Sequence, residues 1–185
     1  EFERLTAGAR HVCGLTIDGQ VRCWGLGSDP GRNEDIRTVR HTGEFVPGVD
    51  FDQAIAPDGT FQQLASGRYH TCAIRPTGRV TCWGAGSDPD RDEADEVDVD
   101  QAVPPDATFV SLVAGPLYTC GVRDDRRLEC WGSRDIEAIP GGEFASLAGG
   151  CGKRTDGSLE CFGGGQKEST LPNGTFVQID GTRRG

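Results

Sequence analysis

Apolar residues fall in short alternating runs along this chain, and no window keeps a helical period for three turns. The fullest run reads Phe61-Gln-Gln-Leu64-x-x-Gly67-x-x-His70-Thr-Cys72-Ala-Ile74-x-x-x-Gly78-x-Val80-x-Cys82-Trp83-Gly84. It is echoed from Phe2 and Leu5 through Gly8, His11, Cys13, Leu15, Gly19, Val21 and Cys23 to Trp24 and Gly25. Cys13, Leu15, Val21 and Cys23 share one parity, so strands running into and out of the Ile17-Asp18-Gly19 turn put all four on one face. The predicted unit is a β-hairpin led in by a Phe-x-x-Leu strand. It recurs in cores at 2–25, 61–84, 109–132 and 144–163 of a single repeat domain spanning 1–185. A terminal strand at 176–180 begins the pattern once more and stops before any cysteine.

All eight cysteines lie in these cores, as Cys13/Cys23, Cys72/Cys82, Cys120/Cys130 and Cys151/Cys161, always with nine residues between them. Matching parity sets the members of each pair opposite one another across the hairpin. Cα atoms there are about 4.5 or 5.5 Å apart, a range that suits a disulfide. Zinc ligands usually come in pairs about two to four residues apart, so the nine-residue gap suits a cross-strand bond better. No cysteine is left over and no Cys-x-x-Cys occurs, which leaves thiol catalysis the poorer reading. Regular pairing implies an oxidising compartment, and each closed loop should contribute about 2–3 kcal/mol. Gly19, Gly78 and Gly157 hold the turn position at which a three-residue loop needs a left-handed residue. Arg126 stands there in the third copy, so that turn is expected to be altered or strained, with Asp125 taking part of the positive-φ burden.

With 35% hydrophobic residues and no long apolar run, no transmembrane segment is expected. A net charge of −10 argues against a general nucleic-acid or anionic-membrane role, which needs clustered Lys and Arg. A secreted or cell-surface location is expected, and a start at Glu1 rather than Met reads as a processed or trimmed product.

The pattern Gly67-x-x-His70-Thr-Cys72-Ala-Ile74 with Gly78-x-Val80-x-Cys82-Trp83-Gly84 resembles the regulator-of-chromosome-condensation repeat, in its secreted bacterial form with a disulfide in each repeat. The resemblance extends over all four cores. It implies an all-β fold: a β-propeller or propeller-like array of about four disulfide-stapled blades, in a family whose members are commonly seven-bladed. It does not imply one function, because the family includes exchange factors, photoreceptors and a propeller-type inhibitor of β-lactamase. The first cysteines of successive cores are 59, 48 and 31 residues apart, so the last blades cannot all carry four strands. The fourth copy runs from Phe144 and Leu147 through Gly150 straight into Cys151, losing the segment that holds His11 and His70. It also has Phe162 in place of the Trp and Lys153 in place of the core aliphatic, and reads as a terminal or specialised repeat.

Acid is concentrated after the first two Trp-Gly pairs. Gly27-Ser-Asp29-Pro-Gly-Arg-Asn33-Glu-Asp35 aligns with Gly86-Ser-Asp88-Pro-Asp-Arg-Asp92-Glu93, and Asp95 follows. Such oxygen-rich loops suit a hard cation, so Asp29, Asn33, Asp35, Asp88, Asp92 and Asp95 are candidate calcium ligands. The second loop starts like an EF-hand and departs from it, with Glu93 where Gly is required and Val99 where the bidentate Glu is required. The alternative is a solvated acidic loop with an Asp-Pro turn and an Arg counter-ion; no other cofactor is expected. His11, His70 and the three tryptophans Trp24, Trp83 and Trp131 hold repeat positions and read as structural. No nucleophile, zinc-protease or phosphate-loop motif is present, so no enzymatic activity is expected.

The reading that results is a secreted, non-catalytic structural or interaction protein whose partners are proteins, chiefly copies of itself. Self-association into an extracellular assembly, a filament where the contact does not close, would run through the terminal strands. Phe2 and Leu5 at one end and Phe176, Val177 and Ile179 at the other are the candidate interface residues. Pairing of the terminal strand with the first blade would close the ring instead. The alternative function is a monomeric recognition propeller, an enzyme inhibitor or lectin-like module, presenting its long loops at 26–60 and 85–108.

Overall fold

Each core forms a three-stranded antiparallel sheet, because its apolar positions alternate and its turn residue can take positive φ. The computed structural model describes residues 1–27, 36–39, 45–48, 51–87, 99–133, 139–162 and 174–176. The first blade is β1 (Phe2–Ala7), β2 (His11–Thr16) and β3 (Val21–Gly25). A two-stranded ribbon, β4 (Ile36–Val39) and β5 (Phe45–Gly48), follows it; the sequence pattern had not placed strands there. The second blade is β6 (Gln63–Ser66), β7 (His70–Ile74) and β8 (Val80–Gly84). The third is β9 (Phe109–Ala114), β10 (Tyr118–Arg123) and β11 (Leu128–Gly132). The fourth is β12 (Phe144–Ala148), β13 (Cys151–Arg154) and β14 (Leu159–Cys161). Every blade is a meander with its His-Thr-Cys or equivalent strand in the middle, and no helix occurs among the described residues.

The hairpin registers place Cys13 opposite Cys23, Cys72 opposite Cys82, Cys120 opposite Cys130 and Cys151 opposite Cys161. All four pairs are disulfides, with Cα separations of 4.1, 4.1, 4.0 and 3.9 Å, and no described cysteine is free. The short separation is that of non-hydrogen-bonded cross-strand pairs.

The third turn corrects one expectation. Arg126 itself takes the glycine conformation at φ 67°, and Asp125 does not share the burden. The turn is otherwise unaltered: Arg126 N donates to Arg123 O at 3.0 Å, just as Gly19 N donates to Thr16 O at 2.9 Å. The hairpin hydrogen bonds on both sides fix the backbone, so the whole cost falls on the residue in the left-handed slot, about 1–2 kcal/mol for a side chain with a Cβ.

The core lies between blades. Cys13 and Leu15, with Val21 and Cys23, pack against Phe61, Leu64, Ala73 and Trp83 of the second blade. Cys72, Ile74 and Val80 pack in the same way against Phe109, Leu112 and Trp131. Cys120, Val122 and Leu128 cover Phe144, Leu147 and Phe162. The predicted one-parity face is thus the trailing face of each blade, and the next blade's Phe, Leu and Trp form the leading face that covers it. At about 1.5–3 kcal/mol for each fully buried large side chain, these joints hold the array together.

Candidate interaction surface

Each joint is defined by more than apolar packing. The turn carbonyl of one blade accepts the amide of the next blade's Phe: Phe61 N to Gly19 O, Phe109 N to Gly78 O and Phe144 N to Arg126 O, each at 2.8 Å. Phe176 N donates to Gly157 O at 3.0 Å, so the chain's last described residue sits where a fifth blade would begin. At the opposite end of the hairpins the joints are tight. A Cβ on Gly8 would lie 2.5 Å from Gly67 O, and one on Gly67 would lie 2.5 Å from Gly115 O. Only glycine permits that approach of neighbouring backbones.

A polar rung crosses two of the joints. His11 Nε2 lies 2.8 Å from Thr71 Oγ1, and His70 Nε2 lies 2.8 Å from Thr119 Oγ1. Both imidazoles are buried, and burial lowers His11 to about 4. Burial, reinforced by repulsion from His11, lowers His70 to about 3. Both rings are therefore neutral near pH 7 and held in hydrogen bonds, which suits a structural rung and not proton transfer near neutrality. The third joint replaces both partners together. Tyr118 takes the histidine position and Gly150 the threonine position, and a Cβ on Gly150 would stand 4.0 Å from the Tyr118 hydroxyl oxygen.

The two long excursions are clamped at their bases by residues that the repeat pattern did not reveal. Gln53 and Gln101 are fully buried. The Gln53 side-chain oxygen accepts Phe51 N at 2.7 Å, and that of Gln101 accepts Val99 N at 2.8 Å. Ala54 N reaches back to Gly27 O at 3.1 Å, and Ala102 N to Gly86 O at 3.2 Å. Asp52 and Asp100 precede these glutamines with φ of 57° and 59°. The signal was present in the sequence as Asp-Gln-Ala at both 52–54 and 100–102.

Among the described residues nothing covers the leading face of the first blade. Phe2, Leu5 and Trp24 are 44%, 64% and 43% exposed, whereas Phe61 and Trp83 at the same positions are 3% and 7% exposed. The open face already has the geometry of a filled one: the Phe2 and Trp24 rings are 5.7 Å apart and tilted by 54°, against 6.4 Å and 50° for Phe61 and Trp83 and 5.5 Å and 53° for Phe109 and Trp131. Phe176 is half-buried and its amide lies on the fourth blade, while Val177 and Ile179, with the rest of the expected terminal strand, lie outside the described residues. The calcium candidates Asp29, Asn33, Asp35, Asp88, Asp92 and Asp95 also lie outside them. Among the described residues no group of three or more His, Cys, Asp or Glu is placed to hold a metal ion. No described helix is long and apolar enough to cross a membrane.

Residues 3–29 and 61–88 match the family model of the Regulator of chromosome condensation (RCC1) repeat. Among solved structures, the chain is similar to the CRINKLY WD40 ectodomain of the Arabidopsis thaliana receptor kinase ACR4, with a TM-score of 0.64 and 24% identity over 99% of this chain and 58% of that one. It is similar to the ectodomain of the Physcomitrella patens receptor kinase CR4, with a TM-score of 0.54 and 28% identity over 94% of this chain and 41% of that one. Prp20p from Saccharomyces cerevisiae matches with a TM-score of 0.53 and 17% identity over 86% of this chain and 44% of that one. The chain thus spans about half the length of these structures.

Proposed function

We propose that this propeller-type array, two of whose blades match the RCC1 repeat model, is a non-catalytic protein-interaction module that works outside the cell and associates with copies of itself through its terminal strands. One observation carries the reading: a preformed but uncovered Phe2, Leu5 and Trp24 face, which every other blade buries. An exposed apolar face with interior-like ring geometry is the mark of an interface. Four disulfides, and likeness to the Physcomitrella patens ectodomain over most of the chain, support the extracellular setting. Sedimentation velocity over a wide concentration range tests the proposal. Species heavier than the 19.7 kDa chain should grow with concentration.

A second reading is favoured by the Gln53 and Gln101 clamps, which present two long excursions from rigid bases, as a recognition module of the inhibitor or lectin-like kind would require. A chain that stays at 19.7 kDa throughout would leave this reading in place of the first.

A further inference from the structure

We propose that the third turn and the cleft beside it bind an acidic segment of a partner protein, with Arg126 and Arg127 taking its carboxylates. The inference rests on the interaction-module reading and names the chemistry of a partner; it makes no use of the terminal strands.

The second joint shows what an arginine at this place holds. Arg79 follows the turn residue Gly78, and Asp106 stands three residues before Phe109, whose amide the Gly78 carbonyl accepts. The Asp106 carboxylate closes on Arg79 Nη1 across that joint. Arg127 holds the position of Arg79 in the third turn: Arg123 N donates to Arg127 O at 2.9 Å, as Arg75 N donates to Arg79 O at 2.8 Å. Its acid is missing. Gly141 takes the place of Asp106, three residues before Phe144, and a Cβ on it would meet nothing within 4 Å. Among the described residues neither the Arg126 nor the Arg127 guanidinium has an ion pair or hydrogen-bond acceptor.

The space beside Arg127 is a cleft of about 650 Å³ between the third turn and the lead-in to the fourth blade. Leu128, Ile139 and Pro140 give it an apolar side and Arg127 a cationic one, a volume and a lining that suit a few side chains of a peptide. Asp125 and Glu143 line it as well. The Asp125 carboxylate is turned to the fold, its Oδ1 accepting Arg127 N at 3.1 Å and lying 3.8 Å from Arg123 Nε. Glu143 opposes an incoming carboxylate, so removing its charge should strengthen the site.

Strain in the turn points the same way. Glycine fills the left-handed slot at Gly19, Gly78 and Gly157, and Arg126 holds it with an exposed side chain at φ 67°. Glycine would serve the backbone without strain, so what Arg126 adds is a second guanidinium next to that of Arg127. Each can give a carboxylate a bidentate pair of N–H bonds. A net charge of −10 disfavours a long polyanion such as nucleic acid, whereas a short acidic segment meets little beyond the cleft.

The test is titration of the full chain with an amidated oligoglutamate peptide at constant ionic strength, followed by the arginine Nε–Hε NMR signals, with oligolysine of equal length as the control. The Arg126 and Arg127 signals should shift. Arg127→Gln should weaken binding at least about fivefold, and Gly141→Asp should do the same by supplying the acid from within. Glu143→Gln should strengthen it at least about twofold. Arg126→Gly separates binding from folding: it should raise the urea midpoint and yet weaken the peptide at least about twofold. An Arg127→Gln or Gly141→Asp chain that binds like the parent, oligolysine that binds as tightly as oligoglutamate, or arginine signals that do not move at any peptide concentration would overturn the site. A response to inorganic phosphate as strong as that to the peptide would make it a general anion site and overturn the carboxylate assignment. Each of these failures leaves self-association standing, since sedimentation of the parent chain decides that reading alone.

Discussion

Acid should loosen the array through its two buried histidines before any carboxylate matters. His11 and His70 sit between blades with Nε2 bonded to Thr71 and Thr119, and burial lowers them to about 4 and about 3. An unfolded histidine takes up its proton near pH 6.5. As pH falls below that value the unfolded chain binds protons that the folded chain refuses, so stability is full above about pH 6.5 and declines toward pH 4. Each histidine should cost about 2–3 kcal/mol between about pH 6.5 and 4.5, a sum comparable to much of the stability of an ordinary domain. Asp18, Asp124 and Asp156 are also held below the usual carboxylate range, by hydrogen bonds from Thr16, Thr108 and Ser158. Their contribution is lost only below about pH 4, near and under the unfolded carboxylate value, so the two windows separate. The assay is urea unfolding at half-unit pH steps with the disulfides intact, on the parent, on His11→Gln, on His70→Gln and on the double variant. Each glutamine should remove about half of the slope between about pH 6.5 and 4.5. A double variant that keeps the parental slope in that window would refute the account.

Arg126→Gly should stabilise the protein by about 0.5–1 kcal/mol, since glycine relieves the left-handed strain and returns part of the gain as unfolded-state entropy; an unchanged or lower urea midpoint would count against strain at φ 67°. Gly67→Ala should destabilise by about 1–3 kcal/mol, because its Cβ would lie 2.5 Å from Gly115 O at the tightest part of a joint; a neutral result would show that the second and third blades can separate there. Millimolar calcium followed by chelator tests the two acidic loops, with ligation expected to raise the melting temperature; no shift in either direction would leave them as solvated loops.

The hairpins were legible because everything that makes them is local. Parity, cysteine spacing and the glycine turn all fall within about ten residues, and the registers of Cys13 with Cys23 and its three counterparts follow from them. The joints were not legible, since no periodicity says which face of the next repeat covers Leu15 or Ile74. Asp-Gln-Ala at 52–54 and 100–102 was in plain view, but its worth depends on Gly27 and Gly86, which the chain brings back only after a long excursion. Arg126 was expected to pass strain to Asp125. It keeps the strain itself because hydrogen bonds from Arg126 N to Arg123 O and from Arg123 N to Arg127 O leave no freedom elsewhere in the turn.

The worn look of the fourth repeat has a physical reason once the joint, and not the hairpin, is taken as the unit. In the first two joints a histidine is matched by a threonine one blade later; in the third, Tyr118 and Gly150 change together. A histidine facing Gly150 would lack the hydroxyl that holds it, while a tyrosine ring fills the space that the missing side chain leaves. The loss of the threonine in one blade and of the histidine in the blade before it is thus a single event at one contact.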